Sequence, residues 1–351
     1  MIRKLIIFTE HSKNTLKIML NNDLDYIIDK LSEEIVHLNE KKILIIGGTG
    51  FFGKNFLNTF KHLIGRDKIK CNIDILSRSS QSFLDKNNDL FKSEYFSFIE
   101  HDIINKIEIE NEYDFIIHAA TSASQDLINN NPSLMFKTII DGTINVLDFC
   151  ATGKATLLYI SSGAIFGTEY DLKKNFSDFN KIDPMKGNFS YHLGKLSAEN
   201  LCFYYSNKFN LKIKIARCFA FVGPYLPLDT HFAIGNFINS IIKKENIVIN
   251  SRGESIRSFL YTSDLMIWLI KILTTGKNLK PYNVGSPDGI SIKNLALKCA
   301  KNSNVDVEFK NIHENPTFYV PNVDETLLDL KIDSFIGIDM AIEKTINWMK
   351  Q

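Results

Sequence analysis

The hydrophobic pattern along the chain changes period several times, and each change marks an element. Apolar side chains first recur at intervals of three and four, at Leu24, Ile27, Ile28, Leu31, Ile35 and Leu38, the spacing of one helix face. Residues 1–40 therefore read as a helical N-terminal extension that packs on the main body through that face. From Lys41 the pattern becomes an unbroken apolar run, Ile43 to Ile46, then Gly47-Gly48-Thr49-Gly50-Phe51-Phe52-Gly53, then a helical stretch through Phe60. Further short runs follow at Ile73 to Leu76, Phe96 to Ile99, Phe115 to Ile117 and Leu157 to Ile160, separated by segments of helix length. Strands alternating with helices predict an α/β fold, a doubly wound parallel sheet covered on both faces.

After Ile160 the order loosens. A loop rich in Asn, Asp and Lys runs to Pro184, with Asp183-Pro184 read as turn chemistry. A helix is expected around Tyr191 to Lys208, and a strand at Lys212 to Ala216 leads to Gly223-Pro224. Beyond lie short mixed segments, Asn246 to Asn250, Phe259 to Tyr261 and Tyr282 to Gly285, and a closing helix near Met340 to Met349. The expected division is a dinucleotide-binding domain over 41–216, with part of 255–285 returning to it, and a smaller α+β cap over 217–351.

Composition narrows the function classes. Hydrophobic residues at 44% and charged residues at 23% of 351 exclude disorder over most of the length. Lys and Arg number 41 against 40 Asp and Glu, with no long block of one sign, so no nucleic-acid partner is expected. The five cysteines are scattered and form no C-x-x-C pair, which reads as buried thiols in a reducing compartment. The early apolar run Leu5 to Phe8 is too short for a membrane span or a signal peptide, so a cytoplasmic protein without a membrane partner is expected. The eight histidines show no metal-ligand spacing, and no metal site is expected.

The glycine turn carries the first candidate chemistry. Gly47, Gly50 and Gly53 stand between a strand and a helix, where they permit a tight turn, close approach of backbone to a pyrophosphate and close helix packing. The helix N-terminus opened by Phe51 and Phe52 then faces the anion. At the end of the second strand, where an acidic residue usually meets the adenosine ribose, the chain has Ser77 and Arg78. Arginine there pairs a ribose phosphate or stacks on adenine, so the cofactor reads as NAD or NADP. Asp102-Ile103, after the third strand, is placed either to meet the adenine amino group or simply as a loop.

The second constellation is Ser161-Ser162-Gly163-Ala164-Ile165-Phe166-Gly167 after the fifth strand, with Tyr191 and Lys195 four apart on one face of the following helix. A tyrosine becomes a general base near neutral pH only if its pKa falls far below about 10, and an adjacent ammonium exerts that pull.

With His118-Ala119-Ala120 after the fourth strand, Arg217 through Gly223-Pro224, Arg257-Ser258-Phe259-Leu260-Tyr261 followed by Asp264, and Tyr282-Asn283-Val284-Gly285, these motifs stand in one order from Lys41 to about Gly285. In that order the chain resembles the extended short-chain dehydrogenase/reductase family of nucleotide-sugar epimerases and dehydratases. The resemblance implies a Rossmann-type domain binding NAD(P), with Ala119 and Ala120 beside the cofactor, and transient oxidation of a nucleotide sugar, usually at carbon 4. It assigns Tyr191 to proton removal, Ser162 to hydrogen-bonding the same oxygen, and Lys195 to the nicotinamide ribose and the tyrosine pKa. Dehydratases and decarboxylases of this kind place a carboxylate just after the serine, where this chain has Gly163 and Ala164, so 4-epimerisation is expected ahead of 4,6-dehydration. Net reduction of a keto sugar by NADPH is the enzymatic alternative, and a non-catalytic dinucleotide-binding protein is the alternative of another class. The substrate motif departs too, with Ala220 and Val222 where the family has Asn and Tyr; Asn236 and Arg257 are left as candidate diphosphate contacts.

The family implies a homodimer through two helices. Ile140, Ile144, Leu147 and Phe149 on the first and Leu201, Phe203, Tyr204 and Tyr205 on the second exceed one inward stripe. The competing arrangement is a monomer in which the N-terminal extension covers that face.

Overall fold

A computed structural model describes residues 21–91, 93–121, 125–167, 185, 189–228, 232–301, 303–313 and 315–350. The Asn-, Asp- and Lys-rich stretch with Asp183 and Pro184, and the first half of the N-terminal extension, lie outside the described residues.

Helical residues 21–30 (α1) precede a 3-10 turn, Ile35–His37, and strand β1 (Lys42–Ile46). There follow α2 (Phe51–Gly65), β2 (Asn72–Ser77), α3 (Ser80–Phe91), β3 (Phe96–Glu100), β4 (Phe115–His118), α4 (Gln125–Asn130), α5 (Pro132–Gly153) and β5 (Thr156–Ser162). Next come a 3-10 turn (Gly163–Phe166), α6 (Ser190–Phe209), β6 (Ile213–Cys218), β7 (Phe221–Val222), α7 (Ala233–Lys243), β8 (Ile247–Ser251), β9 (Ile256–Arg257) and β10 (Leu260–Tyr261). The chain closes with α8 (Thr262–Thr275), β11 (Pro281–Val284), β12 (Ile290–Ser291), α9 (Ile292–Ala300), β13 (Val307–Ile312), β14 (Phe318–Tyr319), α10 (Asp324–Asp329) and α11 (Ile338–Met349).

Seven strands form one parallel sheet in the order β3-β2-β1-β4-β5-β6-β11, a Rossmann-type doubly wound sheet. The order reverses between β1 and β4, which opens the crevice where such sheets bind ligands. Alternation along β1 divides the core: Ile43 and Ile45 join the layer of α1, α2 and α8, whereas Leu44 and Ile46 join that of α5 and α6. A third cluster, built on α7, β8, α9 and α11, forms the interior of the smaller part. Helix α8 was not legible as an element, because from Thr262 to Leu273 every residue is buried and no polar face sets its period.

The described part of the extension does not cover α5 and α6. Leu24, Ile27, Leu31 and Leu38 are buried in the opposite layer, among residues of α2 and α8. Polar contacts hold it there: Tyr261 donates to Asp23 at 2.7 Å, Tyr26 to Asp264 at 3.1 Å, and Lys271 to Glu34 at 2.6 Å, while Lys344 of α11 pairs with Asp23. Asp264 also accepts from the Ile336 amide at 2.9 Å, and burial raises its carboxyl to about 6. On the other face Leu147 points inward, not to the expected outer surface, and is fully buried. Phe203 and Tyr204 of α6 remain 57% and 52% exposed, and Leu134 and Phe136 of α5 are exposed as well. All five cysteines are buried free thiols, and among the described residues no helix is long and apolar enough to cross a membrane.

The extension thus completes the core. Leu31→Ala should cost about 2–5 kcal/mol, the usual range for a fully buried leucine, measured by urea unfolding. A loss under about 0.5 kcal/mol, the level of surface substitutions, would show that the extension is an accessory.

Candidate active site

The candidate residues gather at the carboxyl edge of the sheet, where β1, β4 and β5 end. Gly47 leaves β1 at φ +85°, and a Cβ there would lie 2.7 Å from the Ala120 backbone. A Cβ on Gly53 would lie 2.2 Å from the Gly48 backbone, and one on Gly48 would meet Ile75 at 2.4 Å. Glycine at these positions lets α2 start hard against the turn. Gly50 caps α2 without a side chain and no acidic residue stands in the first turn, so its leading amides are left for an anion. These features fit the pyrophosphate of a dinucleotide. Phe51 and Phe52 pack against Phe221 at 6.3 and 5.7 Å, which ties this helix start to β7. Asn55 reinforces the tie by donating to the Pro224 carbonyl at 3.3 Å.

At the end of β2, Ser77 is buried and its hydroxyl lies 2.7 Å from that of Thr49, while Arg78 is exposed. Asp102 Oδ1 accepts from the Ile104 amide at 3.2 Å, which shapes the loop after β3. Ile103 is buried, packed against Gly142, and its carbonyl accepts from Asn145. Ala119 donates its amide to Ile46 at 2.9 Å, which keeps Ala119-Ala120 beside the glycine turn.

Ser162 is the last residue of β5, and its Oγ accepts from the Ala164 amide at 3.1 Å, holding the turn over Gly163–Phe166. Tyr191, in the first turn of α6, faces Ser162; the serine hydroxyl as donor favours the phenolate, but burial dominates and pushes the phenol up to about 12. Lys195, one turn on, is 4% exposed. Its ammonium donates to the Ile160 carbonyl at 2.8 Å and to Thr121 Oγ1 at 3.2 Å, and lies 4.9 Å from the centre of the Tyr159 ring. Burial lowers Lys195 to about 8. His118 is buried behind it with Nε2 3.3 Å from Thr143 Oγ1, and burial lowers it to about 3, which makes it a neutral packing residue.

The structure therefore brings Ser162, Tyr191 and Lys195 together. It also brings a residue that no motif pointed to. Tyr319 of β14 faces the same Ser162 hydroxyl, its phenol raised above the ordinary tyrosine range by burial. Its ring lies 4.8 Å from Phe219, which in turn covers Gly163: a Cβ at 163 would be 2.6 Å from the Phe219 ring. Tyr319 stands in a short segment without periodicity, so only the pairing of β14 with β9 reveals it. Arg257, opposite Tyr319 in that pairing, is held by the carbonyls of Ile256 and Thr317 at 2.8 and 3.0 Å and by Thr317 Oγ1 at 2.6 Å. Asn236 is exposed on α7, and no hydrogen bond or ring contact joins it to Arg257 or Ser162 among the described residues.

Known proteins share this architecture. UDP-glucuronic acid decarboxylase 1 of Arabidopsis thaliana is 27% identical over 309 residues, covering 87% of this chain and 69% of that protein. Among solved structures, the epimerase Mth375 of Methanothermobacter thermautotrophicus superposes with a TM-score of 0.77 at 20% identity, covering 92% of this chain and 96% of the other. The UDP-glucuronic acid 4-epimerase of Bacillus cereus, solved with UDP-glucuronic acid and NAD, gives 0.74 at 21% identity, covering 88% and 99%. The profile of the NAD dependent epimerase/dehydratase family matches residues 43–285. The motif order, the sheet and that match agree, and the chain belongs to the NAD dependent epimerase/dehydratase family.

Proposed function

We propose that this chain is a nucleotide-sugar 4-epimerase in which Ser162, Tyr191 and Lys195 perform the proton chemistry. The observation that carries the choice among the family's reactions is Gly163 under Phe219. The residue after the serine is a glycine, and the phenylalanine ring occupies the place where a side chain would begin. A carboxylate at 163 would have to displace that ring, so the position suits a reaction that needs no second acid there.

The glycine turn with the first turn of α2 holds the dinucleotide pyrophosphate, Ser77 and Arg78 its adenosine end, and Ala119, Ala120, Tyr191 and Lys195 its nicotinamide end. Bound NAD supplies a reversible hydride acceptor for the sugar carbon. Ser162 Oγ hydrogen-bonds the reacting sugar oxygen and Tyr191 takes its proton at the phenolic oxygen, returning it when the sugar is reduced on its other face. The Lys195 ammonium one turn away opposes the effect of burial on Tyr191 by stabilising the phenolate. Arg257, its guanidinium already oriented by Thr317, meets the diphosphate of the substrate, and Asn236 is the outlying contact of that group. In this reading the smaller part over 217–351 is the substrate cap.

The exposed apolar side chains on α5 and α6, led by Phe203 and Tyr204, support a homodimer through this face. Wild type should then sediment as a dimer and Phe203→Asp/Tyr204→Asp as a monomer. A monomeric wild type would remove this part of the proposal.

Incubation with UDP-, dTDP-, GDP- and CDP-sugars should give a product of unchanged mass and inverted configuration at carbon 4, read by mass spectrometry and NMR. Loss of water or carbon dioxide from the product would replace epimerisation by dehydration or decarboxylation. In the same assay Tyr191→Phe should retain fold and cofactor binding and lose turnover by on the order of a hundredfold or more. Near-normal turnover of the folded variant would place the proton transfer elsewhere.

Arg78 is exposed and stands free of ion pairs among the described residues, which suits stacking on adenine in a family that uses NAD. Arg78→Ala should weaken NAD and NADP alike in calorimetric titrations. Selective loss of NADP, by about 1.5–3 kcal/mol for a charged hydrogen bond, would instead support a ribose phosphate and the reductase alternative.

A further inference from the structure

Behind Ser162, Tyr191 and Lys195 lies a buried carboxylate that the proposed chemistry does not use. Glu199 follows Lys195 by one turn of α6 and is 8% exposed. It accepts from Ser161 Oγ at 2.5 Å, and its two oxygens take Arg217 Nε at 3.1 and 3.2 Å and Nη2 at 2.7 Å. Ser161 and Arg217 are register partners across β5 and β6, and the Arg217 guanidinium lies 5.2 Å from the centre of the Phe166 ring. One side chain thus joins the helix carrying Tyr191 and Lys195 to two strands, beside the residue that precedes Ser162. Burying such a pair adds little net stability, because desolvation offsets the attraction. Its two-pronged geometry, however, fixes direction as well as distance.

The charge of this carboxylate bears on Lys195. The groups facing that ammonium are Glu199 and Cys202 of α6, His118 of β4, Tyr159 of β5 and Cys218 of β6, with Tyr191 one turn earlier on α6. His118 is kept neutral by burial, and burial raises both cysteines and both tyrosines away from ionisation. Among the described residues around Lys195, the Arg217-paired carboxylate is therefore the standing negative charge.

We propose that Glu199 is a positioning residue of this site: anchored by Ser161 and Arg217, it fixes α6 against β5 and β6 and supplies the counter-charge that keeps the Lys195 ammonium protonated beside Tyr191. The proposal rests on the Ser162, Tyr191 and Lys195 reading for its catalytic meaning, but the charge of Lys195 is measurable without turnover. Burial and Glu199 act on Lys195 in opposite directions, burial the stronger.

The test is an NMR titration of protein labelled at lysine Nζ, with the Lys195 signal assigned by its loss in Lys195→Met. The wild-type midpoint is expected near 8. Glu199→Gln should lower it by about one unit or more, the effect of losing an adjacent opposite charge. Arg217→Met disturbs the same packing but keeps the carboxylate, and it should not lower the midpoint. If the loss of the Arg217 ion pair prevents Glu199→Gln from folding, the double variant removes both charges and should still move the midpoint down. An unchanged midpoint in a folded Glu199 variant, or equal lowering in Glu199→Gln and Arg217→Met, overturns the proposal. The alkaline limb of kcat/KM should move with the midpoint. An active Tyr191→Phe would refute the site reading separately, while the titration still decides what Glu199 does to Lys195.

Discussion

A lysine ammonium taken out of water at the end of a parallel sheet is costly unless its three donors and its charge are answered. Lys195 is placed in that position, and much of the surrounding structure meets its needs. The Ile160 carbonyl and Thr121 hydroxyl accept its protons, and the Tyr159 ring faces its charge. Burial that brings Lys195 to about 8 also drives Tyr191 up to about 12. The ammonium is held below about pH 8 and is lost as the pH rises through that value, and under the proposed chemistry that loss removes the charge one turn from Tyr191.

The same edge of the sheet explains why two parts of the chain have to meet. Ser162 faces both Tyr191 on α6 and Tyr319 on β14, a strand that pairs with β9. Phe51 and Phe52 at the start of α2 pack on Phe221, and Asn55 reaches Pro224, so the helix that begins at the glycine turn also anchors the segment after β6. On the far side, Asp23 accepts from Tyr261 and pairs with Lys344, while Asp264 binds both Tyr26 and the Ile336 amide. These contacts attach the extension to α8 and to the end of the chain at once. Relative placement of the parts is thus fixed by buried, directional contacts at both edges.

Much of this was legible in the sequence where a local rule dictated it. The strand, glycine turn and helix over β1 and α2 have no other good geometry, and the four-residue spacing of Tyr191 and Lys195 set them on one helix face. What escaped was fixed by tertiary context. Helix α8 shows no polar face because both sides are buried, and Leu147 turns inward where the sequence count took it for surface. Gly48 gave no sign of its contact with Ile75, Tyr319 belongs to no spacing rule, and the four-residue step from Lys195 to Glu199 does not show that Glu199 meets Ser161 and Arg217. The direction taken by the extension depended on which layer would accept Leu31 and Leu38, a question of packing volume that periodicity does not address.

The central claim is that a hydride leaves one sugar carbon and returns to the same carbon from the other side, with Ser162, Tyr191 and Lys195 handling the proton. The most direct measurement follows deuterium in UDP-, dTDP-, GDP- and CDP-hexoses labelled at carbon 4. The account predicts that the accepted substrate gives a product of inverted configuration with the label retained at carbon 4. Label found at carbon 6, or released into free reduced cofactor, would contradict it.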